Sequence, residues 1–389
     1  MITRVQVKNF RNLADVDVTL GPLTILVGRN SAGKSTFLDV LRFVRDALHL
    51  DLETAISLRG GIPVIRKWSS HGRPHDIEIH LDFADEGTSG HYGFVLGSGI
   101  EGSPRVKREF CEIFLGEVQM HPRFESRNGK WITSPRDWFM SDGIGSGFPN
   151  FPDKLMLPSV AAFLLDFSGI FKHLTSTNFY SVFPNTLRLP QKQTSNATLL
   201  EDGQNLATTL RSIKKRKDFY PDLLAALGRV VEGVNDLRVV EAGGYLVVEL
   251  KHQIQNNRAP WFPLAQESDG TLRILGLLAA LYQETPHSLI AIEEPELSIH
   301  PGALTILSEV IQEAAQHSQI LITTQSPDLI SQFTADQIRV VEQTEGQTQI
   351  GPLDETQREA INAQLFSAGD LLRIEGLRAA DLNGAIALA

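Results

Sequence analysis

Only one cysteine, Cys111, occurs in the 389 residues, so no intramolecular disulfide can form, and no Cys/His grouping has the spacing of a zinc site. That scarcity suits a reducing compartment. No run approaches the roughly 20 apolar residues that span a bilayer. The N-terminus, Met1-Ile2-Thr3-Arg4, leads into alternating residues without the apolar centre of a signal peptide. The chain is therefore expected to be cytoplasmic and to have no membrane partner. Sustained heptads and internal repeats are missing too, which excludes a long coiled-coil arm and a solenoid. Positive charge is not in excess: 36 Lys and Arg against 46 Asp and Glu leave a net charge of −10. That balance argues against a protein coated in nucleic acid and leaves room for a local basic patch. The histidines are scattered without metal-ligand spacing. An apolar content of 42% is that of an ordinary globular chain, and the length allows two or three domains, or one large domain with an insertion.

What is present begins with alternation. Ile2, Val5 and Val7 precede Asn9-Phe10-Arg11-Asn12, and Val16, Val18 and Leu20 follow, which predicts two strands and a short turn. Leu23-Thr24-Ile25-Leu26-Val27 is a nearly continuous apolar run, the pattern of a strand buried on both faces. After the next loop, Phe37, Leu38, Val40, Leu41, Val44 and Leu48 recur at helical spacing. Residues 60 to 135 read as β-rich, with clean alternation over 76–83 and around 110–118. The stretch 136–205, rich in Pro, Gly, Ser and Asn, carries no clear pattern. Helices are predicted around 203–217 and 221–233, and a strand at 245–250. From 268 the pattern is α/β: a helix over about 270–283, a strand at 288–292, a helix over about 303–316 and a strand at 319–324.

Between the apolar strand and the helix lies Gly28-Arg29-Asn30-Ser31-Ala32-Gly33-Lys34-Ser35-Thr36, which fits a phosphate-binding loop at every fixed position. Glycines let backbone N–H groups wrap phosphates, and the helix N-terminus adds its positive dipole end. Lys34 would neutralise the β- and γ-phosphates of ATP, and the Ser35 hydroxyl would ligate Mg²⁺. The bland alternative is a glycine-rich turn before a helix. The strand at 288–292 runs into Glu293-Glu294-Pro295-Glu296. In a phosphate-loop ATPase such a strand delivers one acid to the metal shell and a neighbouring acid to the attacking water. Glu293 takes the first role and Glu294 the second; the alternative is a solvated acidic turn. Glu267-Ser268-Asp269-Gly270-Thr271 opens a helix, where Ser or Asp caps N–H groups that could also grip a phosphate. Gln325 follows the strand ending at Thr324, where a side chain could reach a γ-phosphate. Leu210 to Lys217 is the densest basic run, either a solvated helix end or a patch for a nucleic-acid backbone.

In this order and spacing, these pieces resemble the ABC-type ATPase heads of the RecF/SMC class, and in particular the stand-alone ATPases related to the OLD family that lack a TOPRIM nuclease domain. Val7-Lys8-Asn9-Phe10-Arg11-Asn12 is similar to that class's start, Glu294-Pro295-Glu296 with His300-Pro301 resembles its extended Walker B, and Leu200 to Leu206 resembles a further recurring segment. The likeness covers 1–50 and 260–345 well and 180–215 loosely. It implies an α/β fold: a split P-loop ATPase head, with 1–50 and 260–350 as the core. Residues 51–259 form an inserted β-rich and helical region completing the first lobe and a helical subdomain, and 351–389 a short docking segment. It also implies that Ser268 and Gly270 touch the γ-phosphate bound by a second subunit, that ATP is sandwiched in a head-to-tail homodimer or higher oligomer, and that Arg11 helps hold the nucleotide. Two features depart from the class. Gln325 stands where it usually has His, and no convincing Q-loop glutamine is found, Gln119 being the one candidate in the first insertion.

The function expected is an ATP-hydrolysing, DNA-related switch or sensor that regulates a separate effector, such as a nuclease, in bacterial defence or repair. A transporter-type ATP-binding subunit is the alternative from another class; the resemblance implies a much shorter gap from phosphate loop to Walker B in transporters. A nucleotide-binding scaffold that hydrolyses little is kept open by Gln325 and by Glu in place of Asp at 293. This chain alone is expected not to be a nuclease. The stretch after Glu342 is shorter than a typical domain of ~50 residues or more, and its acids, among them Asp354, Glu355, Glu359, Asp370, Glu375 and Asp381, are spread out rather than clustered for two metals.

Overall fold

The computed structural model describes residues 1–67, 75–85, 87–99, 103–116, 121–133, 151–216, 218–253, 260–283 and 287–380. In chain order its strands are β1 (Ile2–Phe10), β2 (Leu13–Thr19), β3 (Leu23–Val27), β4 (Ile77–Asp85), β5 (Thr88–Ser98), β6 (Pro104–Leu115), β7 (Arg123–Arg127), β8 (Lys130–Thr133), β9 (Thr177–Tyr180), β10 (Val234–Ala242), β11 (Tyr245–His252), β12 (Trp261–Pro263), β13 (Leu289–Glu293), β14 (Gln319–Thr324), β15 (Ile338–Thr344) and β16 (Gln347–Pro352). Among the described residues they make three sheets. One is seven-stranded, in the order β2-β1-β4-β5-β6-β7-β8, and its recorded pairs are all antiparallel. A six-stranded sheet has the order β16-β15-β3-β14-β13-β9, parallel except for β16, and a small antiparallel sheet joins β10, β11 and β12. The architecture is α/β, as expected.

Parallel strands covered on both sides are buried along their whole length and are mostly apolar, and the three central strands are buried nearly throughout with apolar residues at their centres. On β3, Leu26 enters one core while Leu23, Ile25 and Val27 enter the other; Leu289 and Ala291 of β13 oppose Ile290 and Ile292 in the same way, as Leu321 of β14 opposes Ile320 and Ile322. The first core lies between the two large sheets around the helix Lys34–His49. The second holds the helices Leu206–Ile213, Phe219–Val230, Asp269–Leu281 and Pro301–Ala314. Each buried Leu, Ile or Val side chain stabilises by about 1.5–3 kcal/mol, against about 0–1 kcal/mol for an exposed ion pair. Two-faced burial therefore sets the architecture, not the many arginine–carboxylate pairs. One buried polar staple joins the sheets: the Gln319 amide accepts from Ile2 N–H at 2.9 Å and donates to the Ile2 and Gly21 carbonyls at 2.7 and 3.0 Å.

Among its described residues, the stretch around 136–205, patternless in sequence, contributes three helices, Leu157–Phe163, Leu165–Thr175 and the four-residue Pro184–Leu187, and the short strand β9, which pairs with β13 at the edge of the parallel sheet. A four-residue strand carries too few alternations to be read locally. β10, pairing antiparallel with β11, was likewise not anticipated. Among the described residues no helix is long and apolar enough to cross a membrane.

Candidate nucleotide site

Because β3, β14 and β13 are adjacent and parallel, the loops leaving their carboxyl ends converge. That edge is the usual ligand crevice of an open α/β sheet. It gathers Gly28–Thr36, Gln325 and the acids from Glu293 onward. The helix Lys34–His49 starts at Gly33, whose φ of 117° is a left-handed conformation open to glycine, and no side chain caps its first turn. Uncapped N–H groups at a helix start fit a phosphate. Lys34 is 6% exposed and its ammonium folds back on its own loop, donating to the Gly28 and Arg29 carbonyls at 2.6 and 3.1 Å. Burial pulls its pKa down, while Glu294 and Glu296 pull it up. A charged amine in that position, satisfied only by loop carbonyls, suits an anionic ligand.

Ser35 Oγ donates to Glu293 Oε2 at 2.8 Å, bringing together residues far apart in sequence. Two hard oxygens side by side, one on the phosphate helix and one at the end of β13, are a donor set that fits Mg²⁺. The other Glu293 oxygen lies 3.6 Å from Arg42, which also faces Glu201 at 3.5 Å; Glu201 pairs with Arg45 at 2.9 Å. Arg11, at a φ of 49°, pairs with Asp39 at 3.0 Å and shares a cavity of about 750 Å³ with Ser35, Thr36, Arg42, Arg59 and Glu201.

Glu294 sits at a strained φ of 43°, its N–H donating to the Thr323 carbonyl at 2.9 Å. Its own carbonyl accepts from Arg273 at 2.8 Å. The same guanidinium donates to the Val182 carbonyl at 2.8 Å. Arg273 is 4% exposed, in the middle of the apolar helix Asp269–Leu281. Glu296 Oε1 accepts from Thr324 Oγ1 at 2.5 Å and from the Gln325 N–H at 3.4 Å, while Oε2 is buried without a partner. Burial lifts the Glu296 carboxyl above the ordinary range, against the hydrogen bonds from Thr324 and Gln325.

Ser268 and Gly270 form a separate group. Ser268 is exposed and caps its helix, accepting from Thr271 N–H at 3.1 Å. Gly270 presses on the turn after the acids, where a Cβ would stand 2.7 Å from the Ser298 carbonyl. Arg188 bonds Asp269 and donates to the Glu267 carbonyl at 3.3 Å. Gln119 lies outside the described residues. In the basic run, Lys214 is engaged with the Leu237 carbonyl, with Asp236 and with the Tyr220 ring. Among the described residues no group of three or more His, Cys, Asp or Glu side chains could hold a metal. Arg273 and Arg42 join the site without having been anticipated. Only Arg273 left a signal, as a lone charge within Leu272-Arg273-Ile274-Leu275.

Residues 23–331 match the family described as "AAA domain, putative AbiEii toxin, Type IV TA system". The OLD nuclease of Thermus scotoductus is 57% identical over 111 residues, 22% of this chain and 21% of that protein. The Old nuclease of Escherichia phage P2 is 22% identical over 377 residues, 89% of this chain and 60% of that protein. The chain thus spans less than two thirds of the length of either nuclease. An SMC head solved with the C-winged helix domain of ScpA superposes with a TM-score of 0.53 at 13% identity, over 92% of this chain and 99% of that one, a likeness of fold.

Proposed function

The chain belongs to the AAA-domain family just described, as an ABC/SMC-like ATPase of OLD type, and from that premise we propose that it binds and hydrolyses ATP with Mg²⁺ between two head-to-tail copies. The observation that carries the proposal is the 2.8 Å contact of Ser35 with Glu293 beside the uncapped helix start. Gly28 to Thr36 hold the phosphates, with Lys34 countering their charge and the first-turn N–H groups donating to them. Ser35 and Glu293 hold Mg²⁺, which when bound withdraws charge from the phosphate oxygens. Glu294 accepts the proton of the attacking water, and Gln325 donates to the γ-phosphate without adding charge. Arg11 steadies the nucleotide in cis; Ser268 and Gly270 complete the partner copy's site.

In this role, closure of the dimer is a DNA-related switch on an effector such as a nuclease. Support comes from the nucleases among its relatives. The test is ATP binding, hydrolysis and light-scattering mass with and without Mg²⁺-ATP. Lys34→Ala is expected to lose tight binding, and Glu294→Gln to keep binding and accumulate an ATP-bound dimer. A Glu294→Gln protein that turns over at the native rate would remove that residue from the base role, and a native protein that binds no nucleotide would end the proposal.

A further inference from the structure

A phosphate loop that turns its N–H groups inward turns carbonyls outward, and a buried carbonyl must find a donor. For Ala32 that donor comes from the far end of the chain: Thr348 Oγ1, on β16, donates to the Ala32 carbonyl at 2.7 Å. The same hydroxyl accepts from Asn12 Nδ2 at 2.8 Å, and Thr348 N–H donates to the Asn12 carbonyl at 3.0 Å. Thr348 is 1% exposed. The approach is close at both ends of the loop. A Cβ on Gly33 would stand 2.3 Å from Thr348 Oγ1, and one on Gly28 would stand 2.1 Å from the Val341 carbonyl of β15.

We infer that the β15–β16 hairpin is the outer clamp of the phosphate loop, and that the Thr348 hydroxyl is a positioning residue for nucleotide binding, tying Ala32 to the turn that carries Arg11 and Asn12. Thr348 touches no phosphate. It acts through the loop backbone by donating to the buried Ala32 carbonyl. The nucleotide half of this inference rests on the ATP-binding reading above.

Thr348→Val keeps the shape and removes the hydroxyl, and Thr348→Ser restores the hydroxyl without the methyl. Two measurements are made on each and on the native protein. Hydrogen exchange without nucleotide reads the amides of residues 28–36, and titration with a fluorescent ATP analogue and Mg²⁺ reads affinity. Loss of a buried donor predicts that Thr348→Val exchanges faster at the loop and binds about tenfold more weakly. Thr348→Ser should return both to near native at a similar melting temperature. If Thr348→Val does not fold, Thr348→Ala makes the same comparison with no new contact. Unchanged exchange at the loop overturns the clamp. Faster exchange with unchanged affinity overturns the positioning role. Failure of the native protein to bind the analogue overturns the ATP-binding reading, while the exchange measurement still decides the clamp.

Discussion

Arg273 and Glu294 are a pair whose chemistry is set by backbone. The glutamate sits at a φ of 43°, and its carbonyl, with that of Val182, is what the buried guanidinium holds. A methionine of similar length would leave both carbonyls without that donor, at about 1–3 kcal/mol for each unsatisfied group. Arg273→Met is therefore expected to lower kcat for ATP by tenfold or more while moving the nucleotide Kd less than about twofold, since Arg273 holds Glu294 and not the phosphate loop. Steady-state kinetics beside a binding titration checks this, and an equal fall in affinity would place Arg273 in ground-state binding instead. Gly28 offers a second test. Its added Cβ would meet a backbone carbonyl at 2.1 Å, a neighbour that cannot rotate away. Gly28→Ala should lower the melting temperature in a thermal scan, by a destabilisation of about 1–3 kcal/mol.

At the scale of elements, the helix Asp269–Leu281 has two duties at its two ends. Its start is exposed and capped by Ser268, and its interior is buried and carries Arg273 toward the acids. If Ser268 completes the partner's site, Ser268→Arg should block dimerisation and turnover yet spare nucleotide affinity in the monomer. Mixing it with Lys34→Ala should recover activity, because each variant damages a different half of one composite site; mixtures no better than the separate proteins would place the whole site in one chain.

The helix Leu157–Phe163 is held differently. Glu109 of β6, fully buried, accepts from the Met156 and Leu157 N–H groups at 2.5 and 3.0 Å and from Tyr92 at 3.1 Å. Burial nevertheless raises its carboxyl from 4.5 to about 7. The folded state then binds the proton more tightly than the unfolded one, so stability from this group is greatest in acid, falls as pH rises from 4.5 to about 7, and is level above. Melting temperatures of the native protein and Glu109→Gln across pH 5 to 8 should diverge with that slope; parallel curves would deny it.

For the whole molecule, two cores share one parallel sheet, and the candidate site lies where three of its strands end. We propose, from the spacing of the acids after Glu342, that the 389-residue polypeptide leaves supercoiled and linear DNA intact with ATP and Mg²⁺ or Mn²⁺. Cleavage that survives purification and disappears on mutating Asp354, Glu355, Glu359, Asp370 and Glu375 would overturn this. The phosphate loop and the acids were readable in sequence because each directly follows a short apolar run, and such runs announce strands buried on both faces. β9 was not, since four residues in a Pro- and Ser-rich stretch gain their strand geometry from pairing with β13. Nor were Asn12, Arg42 and Thr348, whose partners lie in other elements.

Local pattern by itself determined the strands and helices of the first 49 residues and of 269–324, the loop that can wrap a phosphate, and the acids at the end of β13, because periodicity and turn chemistry act over a few residues. Only the tertiary structure decided that Ser35 meets Glu293, that Arg273 holds the Glu294 carbonyl and that Thr348 closes on Ala32. Those contacts depend on which strands become neighbours, and burial of both sheet faces selects that order with no trace in the spacing of the residues it brings together.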